Sequence, residues 1–492
     1  MSNRLYTAAQ MRELDRHATQ ALGIPGFELM QRAAAAAWRM LRARWPRARQ
    51  LAVLCGAGNN GGDGYLLACL ARDAGMPVVV LALAEPTSAD ARRARDAWRD
   101  GGGETLAAEH GLPAADVYAD ALFGTGLTRP IEGAAAGLIR NLQASGRPVL
   151  ALDVPSGIDA DTGNVLGVAV RAQLTVSFIA RKCGLFTGMA PDHCGALVLD
   201  RLGLGEDAFI DMPCAARLLD MRRMRDWIPR RARTAHKGDC GHVLAIGGDI
   251  GMGGAIRLCA EAALRVGAGL VSAATRTEHV VAINAARPEV MAHGCVDRAS
   301  LAPLLERAGV LALGPGLGKS DWSRSLWRAG LESHKPAVVD ADALNLLAGN
   351  ARALPPGSVI TPHPGEAARL LGCAVGDVAR NRFAAVRELA ARQRCVAVLK
   401  GAGTLIAHES GQVAVCGWGN PGMASGGMGD VLTGIIAGLM AQGLNAWRAA
   451  RLGVALHAQS GDAAAADGEA GLLAGDLFAP LRRLRNPEHE DA

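Results

Sequence analysis

The nine residues GAGNNGGDG, 56 to 64, set polar side chains inside a glycine turn. They follow the apolar run Leu51 to Cys55 and lead into a helical pattern from Tyr65, so the segment predicts strand, turn and helix. Gly56, Gly58 and Gly61 have the GxGxxG spacing that lets backbone N–H groups approach a phosphate at a helix N-terminus. A pyrophosphate turn has no need of Asn59, Asn60 or Asp63, which would crowd or repel a phosphate, so this one is expected to hold something more. Further on, Asp120 and Asp153 stand at the ends of apolar runs, in ADALFGTGLTRP and LDVPSGIDADTG, with Ser156 close behind. The second concentration of chemistry is ASGGMGDVLTGIIAGLMAQG, 424 to 443, where Gly426, Gly427 and Gly429 make a pliant turn and Val431 opens a helix too apolar for a surface. Such a helix start offers N–H groups and a positive dipole end to an anion. Asp430 there reads either as an N-cap or as a base that takes a proton from a hydroxyl while transferring phosphate charge is stabilised.

These residues must be carried by sheets. Apolar runs at Leu51 to Cys55, Val78 to Leu83, Val117 to Ala121, Val149 to Leu152 and Leu174 to Phe178 alternate with amphipathic stretches, which predicts a parallel, doubly wound α/β sheet with ligands at its C-terminal edge. A second series predicts a second α/β domain: Val243 to Ile246, Leu270 to Ala274, Val310 to Leu313, Ala337 to Asp340, Ser358 to Ile360, Val396 to Leu399 and Thr404 to Ala407. GGDIGMGGA (247 to 255), GPGLG (314 to 318) and TPHPGE (361 to 366) should project from one edge of it, and KGAGT (400 to 404) suits a nucleotide phosphate. The arginine-rich stretch from Pro213 to Lys237 reads as the link, and the charged tail from Asn486 as frayed.

Length and composition agree. At 492 residues, 50% apolar and 20% charged, the chain can fill two large domains. A net charge of +5 gives no field that argues for nucleic acid or a membrane, so small molecules are the expected partners. Eleven cysteines without a CxxC pair fit a reducing compartment, and no leader or long apolar run is visible, so a cytoplasmic protein is expected. Only five of the 52 basic residues are lysine (182, 237, 319, 335 and 400), so each is a candidate for a role arginine cannot fill.

In their joint order these motifs resemble the bifunctional NAD(P)H-hydrate repair enzymes over nearly the whole chain. GAGNNGGDG, DALFGTGLTRP, LDVPSGIDADTG and FIARKCGL resemble the Rossmann-like epimerase domain, here 1–216. HKGDCGHVLAIGGDIGMGGA, GPGLG, TPHPGE, KGAGTLI and NPGMASGGMGDVLTGI resemble the ribokinase-like ADP-dependent dehydratase, here 222–486. The resemblance implies that nicotinamide cofactors hydrated at ring carbon 6 (NADHX and NADPHX) are epimerised by the first domain. The second domain would dehydrate the S form with ADP and Mg²⁺, by phosphorylating the ring hydroxyl and eliminating phosphate, with AMP released. It implies an epimerase site of Asn59, Asn60, Gly61, Gly62, Asp63, Gly124, Thr125, Gly126, Leu127, Thr128, Arg129 and Pro130, with Asp153 on the reacting ring. Potassium would lie on Asn60, Asp120 and Ser156, oxygen donors that suit a hard cation and account for the asparagines. In the dehydratase, Ala255, Gly318, His363 and Asp430 would line the hydrate site, and Lys400, Gly401, Ala402, Gly403, Thr404 and Gly429 the nucleotide site. A homo-oligomer is the expected state.

Three other readings compete. The second half could be an ordinary ribokinase-type kinase, separable by its need for ATP. The first half could be a non-catalytic binding module, against which the polar set Asn60, Asp120, Asp153 and Ser156 argues. A Rossmann dehydrogenase would draw on Glu85, about 24 residues after Gly61, but leaves Asn59, Asn60 and Asp63 unexplained. Asp120 and Asp153 are expected to raise each other's pKa, with a bound cation offsetting the repulsion.

Overall fold

The computed structural model of the chain describes residues 3–209, 212–227, 230–350 and 352–486. The chain forms two compact units, Met1–Arg217 and Leu218–Ala492.

The first unit is built on seven strands: β1 (Leu51–Cys55), β2 (Val78–Ala82), β3 (Thr105–Ala107), β4 (Val117–Ala121), β5 (Val149–Leu152), β6 (Leu174–Phe178) and β7 (Ala196–Asp200). They lie in the order β3-β2-β1-β4-β5-β6-β7, and every pairing is parallel. The central strands are buried along their whole length, as continuous apolar runs require when helices cover both faces. Strands β3 and β7 escaped the sequence reading because they are edge strands, half-exposed and without a full apolar run. The order reverses between β1 and β4, so the loops leaving these strands part and open a crevice.

Helix α1 (Ala8–Gln20) is started by a reciprocal Thr7–Gln10 capping box. The short strand Arg4–Tyr6 before it pairs with Arg181–Lys182 in parallel, Tyr6 opposite Lys182. Helix α2 spans Asn59–Asp73 and so begins six residues before the expected Tyr65. Asn59, Asn60 and Asp63 therefore project from the first turns of a helix, not from a loop. The glycines allow this early start by close approach: a Cβ on Gly61 would lie 2.0 Å from the Gly56 carbonyl oxygen, and one on Gly62 2.6 Å from the Met30 sulfur.

The second unit carries β8 (His242–Ile246), β9 (Leu270–Thr275), β10 (Met291–Gly294), β11 (Val310–Leu313), β12 (Ala337–Val339), β13 (Val359–Ile360), β14 (Val396–Leu399), β15 (Leu405–Ala407) and β16 (Val413–Val415). The order is β10-β9-β8-β11-β12-β13-β14-β15-β16, parallel as far as β14 and antiparallel for the last two pairings. Its helices include α3 (Gly253–Arg265), α4 (Pro364–Leu371), α5 (Met428–Ala441) and α6 (Phe478–Arg485). Helix α5 is buried without a break from Val431 to Met440 and packs on α3 at glycine distance. A Cβ on Gly434 would stand 2.0 Å from the Cys259 carbonyl oxygen, and one on Gly438 2.5 Å from Val266 Cγ1.

The stretch from Pro213 to Lys237 is more structured than a linker, with a helical turn at Met221–Met224. Residues 228 and 229 within it, and the tail after Asn486, lie outside the described residues. No cysteine among the described residues is disulfide-bonded, and none of their helices is long and apolar enough to cross a membrane.

Candidate active sites

A cavity of about 760 Å³ opens at the β1/β4 switch point of the first unit. Asn59, Asn60, Asp63 and the segment from Gly124 to Arg129 line it, opposite Asp153 and Lys182. Gly61, Gly62 and Pro130 are not among its lining residues; the two glycines instead let the start of α2 press on its neighbours. Asp153 follows β5 and holds a left-handed backbone, φ +67°, a conformation that aspartate tolerates better than most side chains. Its Oδ1 accepts from the Phe178 N–H at 3.0 Å and from Lys182 Nζ. Lys182, 1% exposed, also donates to the Phe178 carbonyl at 2.8 Å and to Ser177 Oγ at 3.1 Å. The Tyr6–Lys182 pairing thus sets the ammonium beneath the carboxylate. Lys182 was visible in the sequence as a scarce lysine; its contact with Asp153 was not.

Carboxyl groups of raised pKa surround this ion pair. Burial pushes Asp63 well above its ordinary value, helped by the charges of Asp153 and Asp15. Asp15 on α1 borders the cavity; loss of hydration, with a smaller contribution from the charge of Asp153, pushes it to about 6, against the pull of Lys182. Nothing in the sequence singled Asp15 out, because it is one polar residue on an amphipathic helix.

Asp120 behaves differently from expectation. Its side chain is fully buried, with Oδ1 accepting from Ser156 Oγ at 2.6 Å and Leu122 N–H at 3.2 Å, and Oδ2 from Ser156 N–H at 2.8 Å. Burial alone raises it to about 6 while these bonds lower it; no neighbouring carboxylate contributes, so the expected mutual repulsion with Asp153 is absent. Asn60, whose side chain lies near Gly124, is 9% exposed, and both of its amide atoms are buried without a partner. Unpartnered buried polar atoms are costly. Ser156 and Asp120 are joined by two hydrogen bonds, and the unpartnered Asn60 amide has an oxygen to spare, a chemistry that would suit a hard cation if one were held there.

In the second unit the residues gather around a different ion pair. Asp340, just after β12 and 1% exposed, accepts from Lys400 Nζ at 2.7 Å on Oδ1 and from Thr433 Oγ1 at 2.8 Å on Oδ2. Glu366 Oε2 lies 3.8 Å from Lys400 Nζ. Lys400 loses hydration on burial, but Asp340 and Glu366 more than offset this, and its pKa is raised. A Cβ on Gly429 would lie 3.3 Å from Lys400 Nζ, so the ammonium sits against the start of α5. Asp430 is the third residue of α5, where Gly427, φ +91°, is the N-cap and no side chain makes the cap bond. The capping reading of Asp430 is thereby overturned. Burial pushes its pKa up to about 7, with further increments from Asp340 and Asp342 and opposition from Lys400.

His363 is the N-cap of α4; its Nδ1 accepts from Gly365 N–H at 3.0 Å while Glu366 Oε2 accepts the His363 N–H at 2.8 Å. Its side chain is half-exposed and can still meet a ligand. Glu366, in the same TPHPGE motif, is buried and pushed up to about 7, by burial first. Ala255 is the third residue of α3, its N–H donating to the Met252 carbonyl at 3.2 Å, and Gly318, from the loop after β11, also borders Met252, close to Asp249, which pairs with Arg276 at 2.7 Å and accepts from Ser320. In the KGAGT loop Thr404 Oγ1 donates to the Gly401 carbonyl at 2.9 Å, and Arg382 supports the Leu399 and Lys400 carbonyls from below. Asp340, Glu366 and Thr433 were missed as a set, since they come from three separate elements.

Two parallel α/β units, each with glycine turns, a lysine and clustered carboxyl groups at the C-terminal edge of its sheet, define a chain built for nucleotide chemistry at two places. The family model described as YjeF-related protein N-terminus matches residues 26–184, and that described as NAD(P)H-hydrate dehydratase matches 243–483. The chain is 50% identical over 487 residues to a bifunctional NAD(P)H-hydrate repair enzyme of Coxiella burnetii, covering 98% of this chain and 99% of that one. The Escherichia coli enzyme of the same description is 43% identical over 491 residues, covering 99% and 95%. A solved ribokinase-like superfamily protein from Enterococcus faecalis matches with 30% identity and a TM-score of 0.51, covering 55% of this chain and 94% of that one. The chain belongs to the bifunctional NAD(P)H-hydrate repair enzymes.

Proposed function

We propose that the first unit interconverts the R and S hydrates of NADH and NADPH and that the second dehydrates the S form with ADP. The observation that carries the reading is Asp430: a half-buried carboxyl near neutral pKa, on the first turn of an apolar helix, beside Lys400. Ionised, it accepts the proton of the ring hydroxyl as the terminal phosphoryl group leaves ADP; AMP departs, and phosphate is then eliminated together with a proton from ring carbon 5, restoring the double bond. Lys400, fixed by Asp340, neutralises phosphate charge, and the N–H groups of Gly429 and its neighbours face the same developing charge. Magnesium would be carried by the nucleotide phosphates and would offset their charge; no cluster of three His, Cys, Asp or Glu side chains among the described residues is arranged to hold a metal by itself.

In the first unit Asp153 is the central acid–base group. Carbon 6 of the hydrate bears both the hydroxyl and the ring nitrogen, so inversion there needs a proton donor when a bond to this carbon breaks and an acceptor when it re-forms. Asp153 over Lys182, with the raised carboxyl of Asp63 on the same cavity, supplies both within one crevice. Potassium would be held by Asn60, Asp120 and Ser156, giving the unpartnered Asn60 oxygen a ligand and the buried Asp120 charge a counter-ion.

The test is to supply epimer-mixed hydrate with ADP and Mg²⁺ and follow return of the dihydronicotinamide absorbance. Turnover with ADP and release of AMP supports the reading. Activity with ATP alone, with a stable phosphorylated alcohol accumulating, would make the second unit a kinase. The units should also work apart: cleavage between Arg217 and Arg233 is expected to yield two soluble fragments, the C-terminal one acting on the S epimer alone.

A further inference from the structure

A second cavity, of about 540 Å³, opens at the end of α3 remote from Ala255. At roughly 1.5 Å per residue, Ala255 and Arg265 are about 15 Å apart along this helix. The wall is dominated by six arginines: Arg230, Arg231, Arg265, Arg287, Arg482 and Arg485. Against them stand only Glu261 and Glu289. Glu261 is 1% exposed and already committed, taking Arg257 at 2.9 Å, Arg265 at 3.2 Å and Arg287.

Helix ends explain only part of this charge. Arg231 donates to the Gly267 carbonyl just beyond α3, the ordinary use of a cation at a helix C-terminus. Among the described residues, however, no carboxylate lies within ion-pair distance of Arg230, Arg231, Arg482 or Arg485. The Nε groups of Arg287 and Arg485 are buried without a hydrogen-bond partner, and Arg485 is further unsettled by loss of hydration and the like charge of Arg231. A site whose six guanidinium groups outnumber its two carboxylates is one that an incoming anion relieves. Guanidinium matches phosphate oxygens two at a time, which a lysine cluster would not, and the volume suits a small ligand.

We infer that this cavity binds a small, multiply charged anion of the phosphate class, a polyphosphate or phosphorylated metabolite, separately from the nucleotide used in dehydration. Calorimetric titration of the full chain with inorganic pyrophosphate, at saturating ADP so that the site at α5 is filled, should show one further binding event. The exposed pair exchanged together, Arg231→Gln with Arg482→Gln, should weaken it by roughly tenfold or more while ADP affinity and dehydration stay at parent values. Arg485→Lys, which keeps the charge but loses the fork, should weaken it less. Pyrophosphate binding that the arginine variants leave unchanged, or that saturating ADP abolishes, would overturn the proposal. The sequence after Asn486 contains Glu488, Glu490 and Asp491, which supplies a further arm: a chain ending at Asn486 should bind pyrophosphate like the parent. If only that shortened chain bound it, the cavity would serve the chain's own acidic segment and the small-ligand reading would fail.

Discussion

Each unit buries a lysine–aspartate pair at its sheet edge and flanks it with carboxyl groups of raised pKa, but the two sites use opposite members. In the first, the lysine's partner Asp153 itself faces the cavity, and the flanking acids are Asp15 and Asp63. In the second, the partner Asp340 is hidden, and the flanking acids Asp430 and Glu366 are the reactive candidates. In the second unit the charge that is held still is paired, and the one that must come and go stands beside the pair, where burial moves its pKa toward neutrality; in the first, the paired carboxylate itself takes the acid–base role.

The sharpest way to break this comparison is Asp430→Asn. Dehydration should fall by about 10²–10⁴-fold with ADP affinity nearly intact, read by steady-state rates and by nucleotide titration. Because a base works only when deprotonated, the parent's rate should climb with pH through about 7, and the residual rate of the variant should lose that limb. A variant with parent-like turnover would end the catalytic reading.

Lysine replacement separates the sites next. Lys182→Met leaves Asp153 without its buried cation, a change that costs up to about 3–5 kcal/mol when such pairs are broken, and epimerisation should stop. Lys400→Met strands Asp340 instead; dehydration should fall mainly through weakened nucleotide binding, a KM effect larger than the kcat effect. Equal kcat losses in both variants would erase the distinction.

A smaller effect tests Asp120. Asp120→Ala should weaken hydrate binding and remove any dependence of epimerisation on potassium over sodium; a variant that still answers to potassium would move the cation elsewhere. Smaller still is a stability effect with a definite sign. Asp430 has a folded-state pKa above its unfolded one, so the native chain holds the proton more tightly and stability falls as pH rises from about 4 through about 7. Asp430→Asn should therefore melt a few degrees above the parent at pH 8 and draw level with it only below about pH 4, by calorimetry; no difference at either pH would contradict the burial of this charge.

Much of this was legible because parallel strands buried on both faces leave continuous apolar runs, and both glycine series stand directly after such runs. Strand ends shifted by a residue at most at β2, β8, β9, β12, β13 and β15. Edge strands and the antiparallel β16 left no such signal. The sites were readable to the extent that a motif carried them: Asp153, Asn60 and Asp430 lie inside glycine strings. Asp15, Asp340 and Glu366 meet other elements only in space, and Asn59 to Asp63 read as loop residues from sequence because a helix that opens on NNGGDG contradicts propensity until packing overrides it.

The glycines that seat α5 against α3 bear on how this enzyme could be re-engineered. A helix whose backbone lies against its neighbour's carbonyls at Gly434 has no room to tilt or slide, so Asp430 is the fixed benchmark of its site. Tolerance for a bulkier or differently charged hydrate has to come from the surrounding glycine turns, at Gly401, Gly403 and Gly427, all at positive φ. A designer who enlarges those loops keeps the reaction; one who trims α5 moves the datum from which every other distance in the site is measured.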